Sequence, residues 1–141
     1  MELLSNELEN YLGNHCDPEG TLLQHINRET HLKVLMPRML SGHYQGRVLG
    51  MLSNMIRPSR ILEIGTFTGY ATLCLAEGLT ENGMLHTIDI NQELESMVRG
   101  NFLKSDFNTR ITYHLGNALE IIPMLDEVFD LVFIDADKKN N

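Results

Sequence analysis

The sequence predicts an α/β fold, a parallel sheet with helices on both faces, preceded by a helical region. Three observations carry this expectation. Four short apolar runs, Arg60–Ile64, Met84–Ile90, Ile111–Leu115 and Phe129–Asp135, have the residue preferences of strands. Segments of helical spacing alternate with them, and near-continuous apolar strands joined through helices form parallel sheets with right-handed crossovers. The first run is followed at once by two glycines, Gly65 and Gly69, and then by a helix-like run from Ala71 to Leu79.

The elements follow in order. Glu2 to Gly13 carries Leu3, Leu4, Leu8, Tyr11 and Leu12 at helical spacing. Asp17-Pro18 reads as an N-cap followed by proline at the first helical position; that helix is expected to run to about Leu35 and to be ended by Pro37. Met39 to Gly46, with two glycines and no clean period, reads as a loop. A third helix is expected from about Tyr44 to Ile56, broken by Arg57-Pro58-Ser59. After the first strand come a helix over Gly69–Leu79 and a turn at Gly83. After the second and third come helices from about Gln92 to Ser105 and from Ala118 to Leu125.

A chain of 141 residues is close to the common size of one domain, here divided into a helical region over 1–57 and an α/β part over 58–141. Nineteen acids against eleven Lys and Arg give a net charge of −8, which disfavours a nucleic-acid surface. With no run of eighteen apolar residues and no basic-then-apolar leader, neither a membrane span nor a signal peptide is expected. Cys16 and Cys74 are far apart with no C-x-x-C, which suits a reducing cytoplasm and two free thiols used for buried packing. The six histidines include no i,i+4 pair and no zinc signature.

The chemistry concentrates at the strand ends. A strand, a glycine turn and a helix offer backbone N–H groups to a small polar ligand. Asp89, twenty-four residues after Gly65 at the end of the second run, is placed to accept hydrogen bonds from both hydroxyls of a ribose. The turn Glu63-Ile-Gly65-Thr-Phe-Thr-Gly69 is E-x-G-x-x-x-G and not G-x-G-x-x-G. Phe67 and Thr68 stand where a dinucleotide site needs glycine, and Glu63 puts a carboxylate where a phosphate would be repelled. A cationic ligand without phosphate fits better, and S-adenosylmethionine has a sulfonium, an ammonium and a ribose. The plainer reading is a tight turn that Glu63 caps. Gly116-Asn117-Ala118 opens a helix on the same edge, where small residues can pack against a flat base or simply turn the chain. Asp135-Ala-Asp137-Lys138 suits a hard cation held by oxygen ligands, with Lys138 as acceptor of a hydroxyl proton; it reads equally as a solvated charged tail.

Taken together, S-G-H-Y-Q-G, R-I-L-E-I-G-T-F-T-G-Y-A-T, H-T-I-D-I-N, G-N-A-L-E-I-I-P and F-D-L-V-F-I-D-A-D-K resemble the cation-dependent O-methyltransferases, the family of catechol and caffeoyl-CoA O-methyltransferases. The resemblance runs from about Leu35 to the last residue and implies a Rossmann-like methyltransferase fold with S-adenosylmethionine as cofactor. It implies that Glu63, Gly65, Thr66 and Gly69 line the methionine and ribose part of the site, with Tyr70 and Ala71 at contacting positions. Asp89 would hold the ribose hydroxyls, Ala118 beside Asn117 would face the adenine, and Ser41 would reach the cofactor from the upstream loop. Asp135 would be a metal ligand and catalytic residue beside the cofactor, and Lys138 would receive the acceptor's proton. The implied cation is magnesium, or manganese or calcium; the implied partners are a small catechol- or phenol-like hydroxyl acceptor and a second copy of the chain in a homodimer, in the cytoplasm.

The family pattern continues past the fourth strand with an Asp-Asn pair that completes its metal site, so the sequence is expected to be the incomplete, N-terminal part of a longer enzyme. Two rivals stand beside this reading: an NAD-dependent Rossmann oxidoreductase, which the E-x-G-x-x-x-G turn disfavours, and a non-catalytic cofactor-binding fragment.

Overall fold

The structure is a computed structural model that describes residues 4–136. Three helices come first: α1 (Asn6–His15), α2 (Thr21–Lys33) and α3 (Gly42–Ile56). Then β1 (Arg60–Ile64), α4 (Tyr70–Ala76), β2 (Met84–Asp89), α5 (Glu95–Leu103), β3 (Ile111–Leu115), α6 (Ala118–Ile121) and β4 (Leu131–Ile134) alternate. The four strands form one parallel sheet in the order β3-β2-β1-β4, with Glu63 of β1 in register with Thr87 on one side and Phe133 on the other.

Strand side chains alternate between the two faces of a sheet, so Ile61, Leu85, Ile111, Tyr113, Leu131 and Phe133 form one apolar surface. Against it pack Leu23 and Ile26 of α2, Leu49 of α3, Leu73 and Leu75 of α4, and Val98 and Phe102 of α5. Ile26, Ile61, Leu85 and Val98 are fully buried, each stabilising by about 2 kcal/mol. The opposite face is more polar at β2 and β3. His86 Nε2 meets Glu127 at 2.5 Å, Glu127 also holds Arg60 at 3.0 Å, and His86 Nδ1 lies 2.9 Å from His114 Nε2. Burial, and then the neighbouring His86, holds His114 below the usual histidine range.

Helix α3 approaches α4 closely because small residues line the contact. A Cβ on Gly46 would come within 2.8 Å of the Tyr70 ring, and one on Gly50 within 2.8 Å of Glu77. Ser53 donates to the Leu75 carbonyl at 2.5 Å, and Arg47 closes the seam with two bonds to Glu77, at 2.5 and 3.2 Å. The pairing with Glu77 raises the Arg47 pKa, while burial pushes the Cys74 thiol up to about 12. Cys16 is also free, but half-exposed at the end of α1 and not packed in the core.

Several expected boundaries shift. Helix α1 begins at Asn6 under a Ser5 N-cap, so Leu4 lies outside it, while Glu2 and Leu3 lie outside the described residues. Asp17-Pro18 opens no helix; α2 starts at Thr21, because Glu19 reaches to the Tyr70 hydroxyl and draws the chain along the core. The helix ends at Lys33, before Pro37, which instead opens a short 3₁₀ turn at 37–39. The segment read as a loop is helical from Gly42, since Gly46 is a packing residue and not a breaker. Helix α4 stops at Ala76; α5 and α6 are shorter than expected, each joined to a 3₁₀ turn, at 92–94 and 122–124. Strand β4 covers only Leu131–Ile134, because Asp130 is spent capping the start of β1 through Ser59 N and Arg60 N. In the described sheet it is the outer strand beside β1. No helix among the described residues is long and apolar enough to cross a membrane.

Candidate functional site

The carboxyl ends of the four strands are tied into one edge by hydrogen bonds that extend the ladder. Gly116 N donates to Asp89 O at 2.8 Å, Gly65 N to Ile88 O at 2.8 Å, and Asp135 N to Ile64 O at 2.9 Å. In open α/β sheets this is the edge where ligands sit. Glu63, Gly65, Thr66, Gly69, Asp89, Asn117, Ala118 and Asp135 are all brought to it.

The turn between β1 and α4 has an unusual backbone. Gly65 (φ +106°) and Gly69 (φ +91°) use a left-handed region that other residues avoid. A Cβ at Gly65 would overlap the Asp135 carbonyl, and one at Gly69 would lie 2.6 Å from the Phe102 ring. Between them Gly69 N closes a turn on Thr66 O at 2.9 Å, in which Phe67 takes φ +50° without being glycine. Such a residue stores about 1–2 kcal/mol. Its return is an aimed donor: Phe67 N–H points at Asp89 Oδ2, 2.7 Å away, while Asn91 N holds Oδ1 at 3.0 Å. The Asp89 carboxylate is thereby fixed by one backbone donor on each oxygen, and each oxygen retains a lone pair for a ligand.

Glu63 is completely buried on β1. Thr72 of α4 and Thr87 of β2, the latter at 2.7 Å, both donate to Oε2, and Oε1 has no partner among the described residues. Desolvation pushes this carboxyl up to about 8; the Thr72 and Thr87 bonds oppose the shift, and the Asp89 and Asp135 charges add to it. A buried carboxyl with one satisfied and one orphaned oxygen fits a cationic ligand group, which would restore its ionised form. The Thr66 hydroxyl is occupied by Thr87, 2.6 Å away.

Other expected residues sit differently. Tyr70 is buried and its hydroxyl is bound to Glu19; burial, and then this bond, raises its pKa. Ala71 is buried as well, packed with the core at the start of α4. Ser41 lies at the start of α3 and makes no capping hydrogen bond. Asn117 caps α6 by accepting from Leu119 N at 3.0 Å, with half-buried Ala118 beside it. Exposed Ile90, which follows Asp89, joins the edge without having been singled out in the sequence. Nor were Thr72 and Thr87, although the strand alternation that places Thr87 beside Asp89 was available as a signal. Asp135 is exposed, and Asp137 and Lys138 lie outside the described residues. Among the described residues no group of three or more His, Cys, Asp or Glu side chains is placed to hold a metal ion. The described residues do not by themselves form a divalent-cation site.

A parallel sheet with an E-x-G-x-x-x-G turn and an acid ending the second strand defines a class, the Rossmann-like S-adenosylmethionine-dependent methyltransferase fold. Within it, an O-methyltransferase family model matches residues 14–141, and the chain belongs to that family. The chain is 37% identical over 107 residues to a catechol O-methyltransferase of Mycobacterium tuberculosis, a match covering 75% of this chain and 49% of that protein. It is 36% identical over 107 residues to caffeoyl-CoA O-methyltransferase 1 of Eucalyptus globulus, covering 72% of this chain and 44% of that protein. Among solved structures, the O-methyltransferase TomG of Streptomyces achromogenes, in complex with SAM, superposes with a TM-score of 0.87 at 31% identity. That superposition covers 94% of this chain and 61% of TomG. The chain spans about half the length of the curated relatives it matches.

Proposed function

We propose that this chain is the cofactor-binding part of an S-adenosylmethionine-dependent O-methyltransferase whose acceptor is the hydroxyl of a small catechol- or phenol-like molecule. One observation carries the proposal. At a single sheet edge, a buried carboxyl with an orphaned oxygen (Glu63) lies beside a carboxylate oriented by two backbone donors (Asp89). This pairing suits a ligand with a cationic end and a ribose diol. The relatives' names support phenolic acceptors.

When bound, S-adenosylmethionine supplies a methyl group on a sulfonium, open to displacement by an oxygen nucleophile. The residues of this chain bind and orient. Asp89 accepts from the ribose hydroxyls with the lone pairs its backbone donors leave free. Glu63, through its unpartnered Oε1, would hold the ammonium, and the glycines would let the ligand approach the backbone closely. Holding both partners in line supplies much of the rate. Lys138, as acceptor of the hydroxyl proton, rests on sequence alone. The same holds for magnesium, manganese or calcium bound through Asp135; a magnesium dependence of methyl transfer by the longer enzyme is the measurement that decides it.

Pairing of two copies belongs to the proposal too. It is supported by Met51, Leu52, Met55 and Ile56, an exposed apolar stripe on α3, and sedimentation tests it. Two free cysteines support a cytoplasmic setting. Calorimetric titration with S-adenosylmethionine and, separately, NADH tests the cofactor reading. Saturable binding of the former alone is expected, and binding of NADH alone would replace the proposal with the oxidoreductase.

A further inference from the structure

Two buried side chains outside the ligand edge converge on the turn. Asn101 of α5 donates from Nδ2 to the Thr68 carbonyl at 2.9 Å, and the hydroxyls of Thr30 in α2 and Thr68 are bonded at 3.0 Å. Thr30 and Thr68 are fully buried and Asn101 is 3% exposed, so each bond is made where water cannot replace it, and losing a partner leaves a bare polar group. Thr68 follows Phe67 directly, so pinning its carbonyl and its hydroxyl fixes the plane of the turn. A left-handed non-glycine residue persists only where its surroundings over-determine it, and around Phe67 these two bonds, the Thr66–Gly69 closure and the Asp89 bond do so.

We infer that Thr30 and Asn101 are positioning residues for the cofactor's ribose: by locking Thr68 they hold Phe67 left-handed, and Phe67 N–H in turn orients the Asp89 carboxylate. Neither side chain touches the ligand in this scheme. The inference rests on the proposed binding of an adenosine ligand with its diol on Asp89, and it deepens that reading by adding two distant helices to the site. It also gives a role to α2, which lies outside the alternating α/β part.

The test compares S-adenosylhomocysteine with its 2′,3′-dideoxy analogue by calorimetry on the whole chain, as wild type and as Thr30→Val, Thr30→Ser and Asn101→Ala. Thermal melts check that each variant folds; Thr30→Val keeps the shape of the side chain, and Thr30→Ser keeps its hydroxyl and so its bonds to Thr68 and to the Ile26 carbonyl. For the wild type, losing hydrogen bonds to a charged acceptor is expected to weaken binding roughly ten- to a hundred-fold. In Thr30→Val and Asn101→Ala that preference should fall to about threefold or less, with the dideoxy analogue bound much as in wild type, and Thr30→Ser should restore it. Folded variants that retain the full preference for the diol overturn the inference. A wild-type chain that binds neither ligand overturns the cofactor reading and the inference with it.

Discussion

The β1–α4 turn and the end of β4 lie on the same sheet edge, yet they are built differently. At the turn, Glu63, Thr66, Thr68 and Thr72 are buried and bonded to one another's neighbours across β1, β2, α2, α4 and α5. At β4, Val132 and Ile134 are 49% and 55% exposed, and the described part of the Asp135 loop is tied back through the single bond from Asp135 N to Ile64 O. A polar side chain that must orient a ligand needs such surroundings; a residue with none can be placed only approximately. On the proposed reading, cofactor recognition falls to the first region, whose side chains are already held in place.

Mutations that break this contrast should have unequal effects. The largest is expected for Gly65→Ala, which meets both a left-handed φ and the Asp135 carbonyl; urea unfolding should show a loss of more than about 3 kcal/mol. Next, Asp89→Ala should weaken S-adenosylhomocysteine about a hundred-fold in calorimetry, while the melting temperature falls by only a few degrees. Wild-type affinity in that variant would remove Asp89 from the site.

Glu63 gives a pH effect. Burial pushes its carboxyl from the ordinary 4.5 up to about 8. The protonated form is thus favoured in the fold, and the associated stability, full below pH 4.5, is lost as pH rises through about 8. Across that window wild type should lose up to about 1.4 kcal/mol per pH unit relative to Glu63→Gln, read from paired urea curves at several pH values. Parallel curves would show that Glu63 is ionised in the fold throughout. The smallest effect is expected for Val132→Thr on the exposed face of β4, within about 0.5 kcal/mol of wild type.

Much of this architecture was legible in the residues, because the alternation of apolar runs and helical spacing follows from burial on both faces of a parallel sheet. β1 and β3 agree with expectation at both ends. What was not legible depends on contacts distant in sequence. Asp17-Pro18 carries every local mark of a helix start, but Glu19 is drawn to Tyr70, fifty-one residues away. Gly46 reads as a loop residue because nothing local says that α4 will pass within a side chain's width of it. At the site, Glu63, Gly65 and Asp89 announced themselves through strand ends and spacing. Thr30 and Asn101 gave no signal, since a buried threonine or asparagine in a helix has no pattern until its partner is known.

The most direct test of the account is a titration of the 141-residue chain with S-adenosylmethionine, run beside its Asp89→Ala variant and an NADH control. One-to-one saturable binding to wild type, a loss of about a hundred-fold in the variant, and no heat from NADH are expected. Equal binding by wild type and variant, or binding of NADH in place of S-adenosylmethionine, would contradict it.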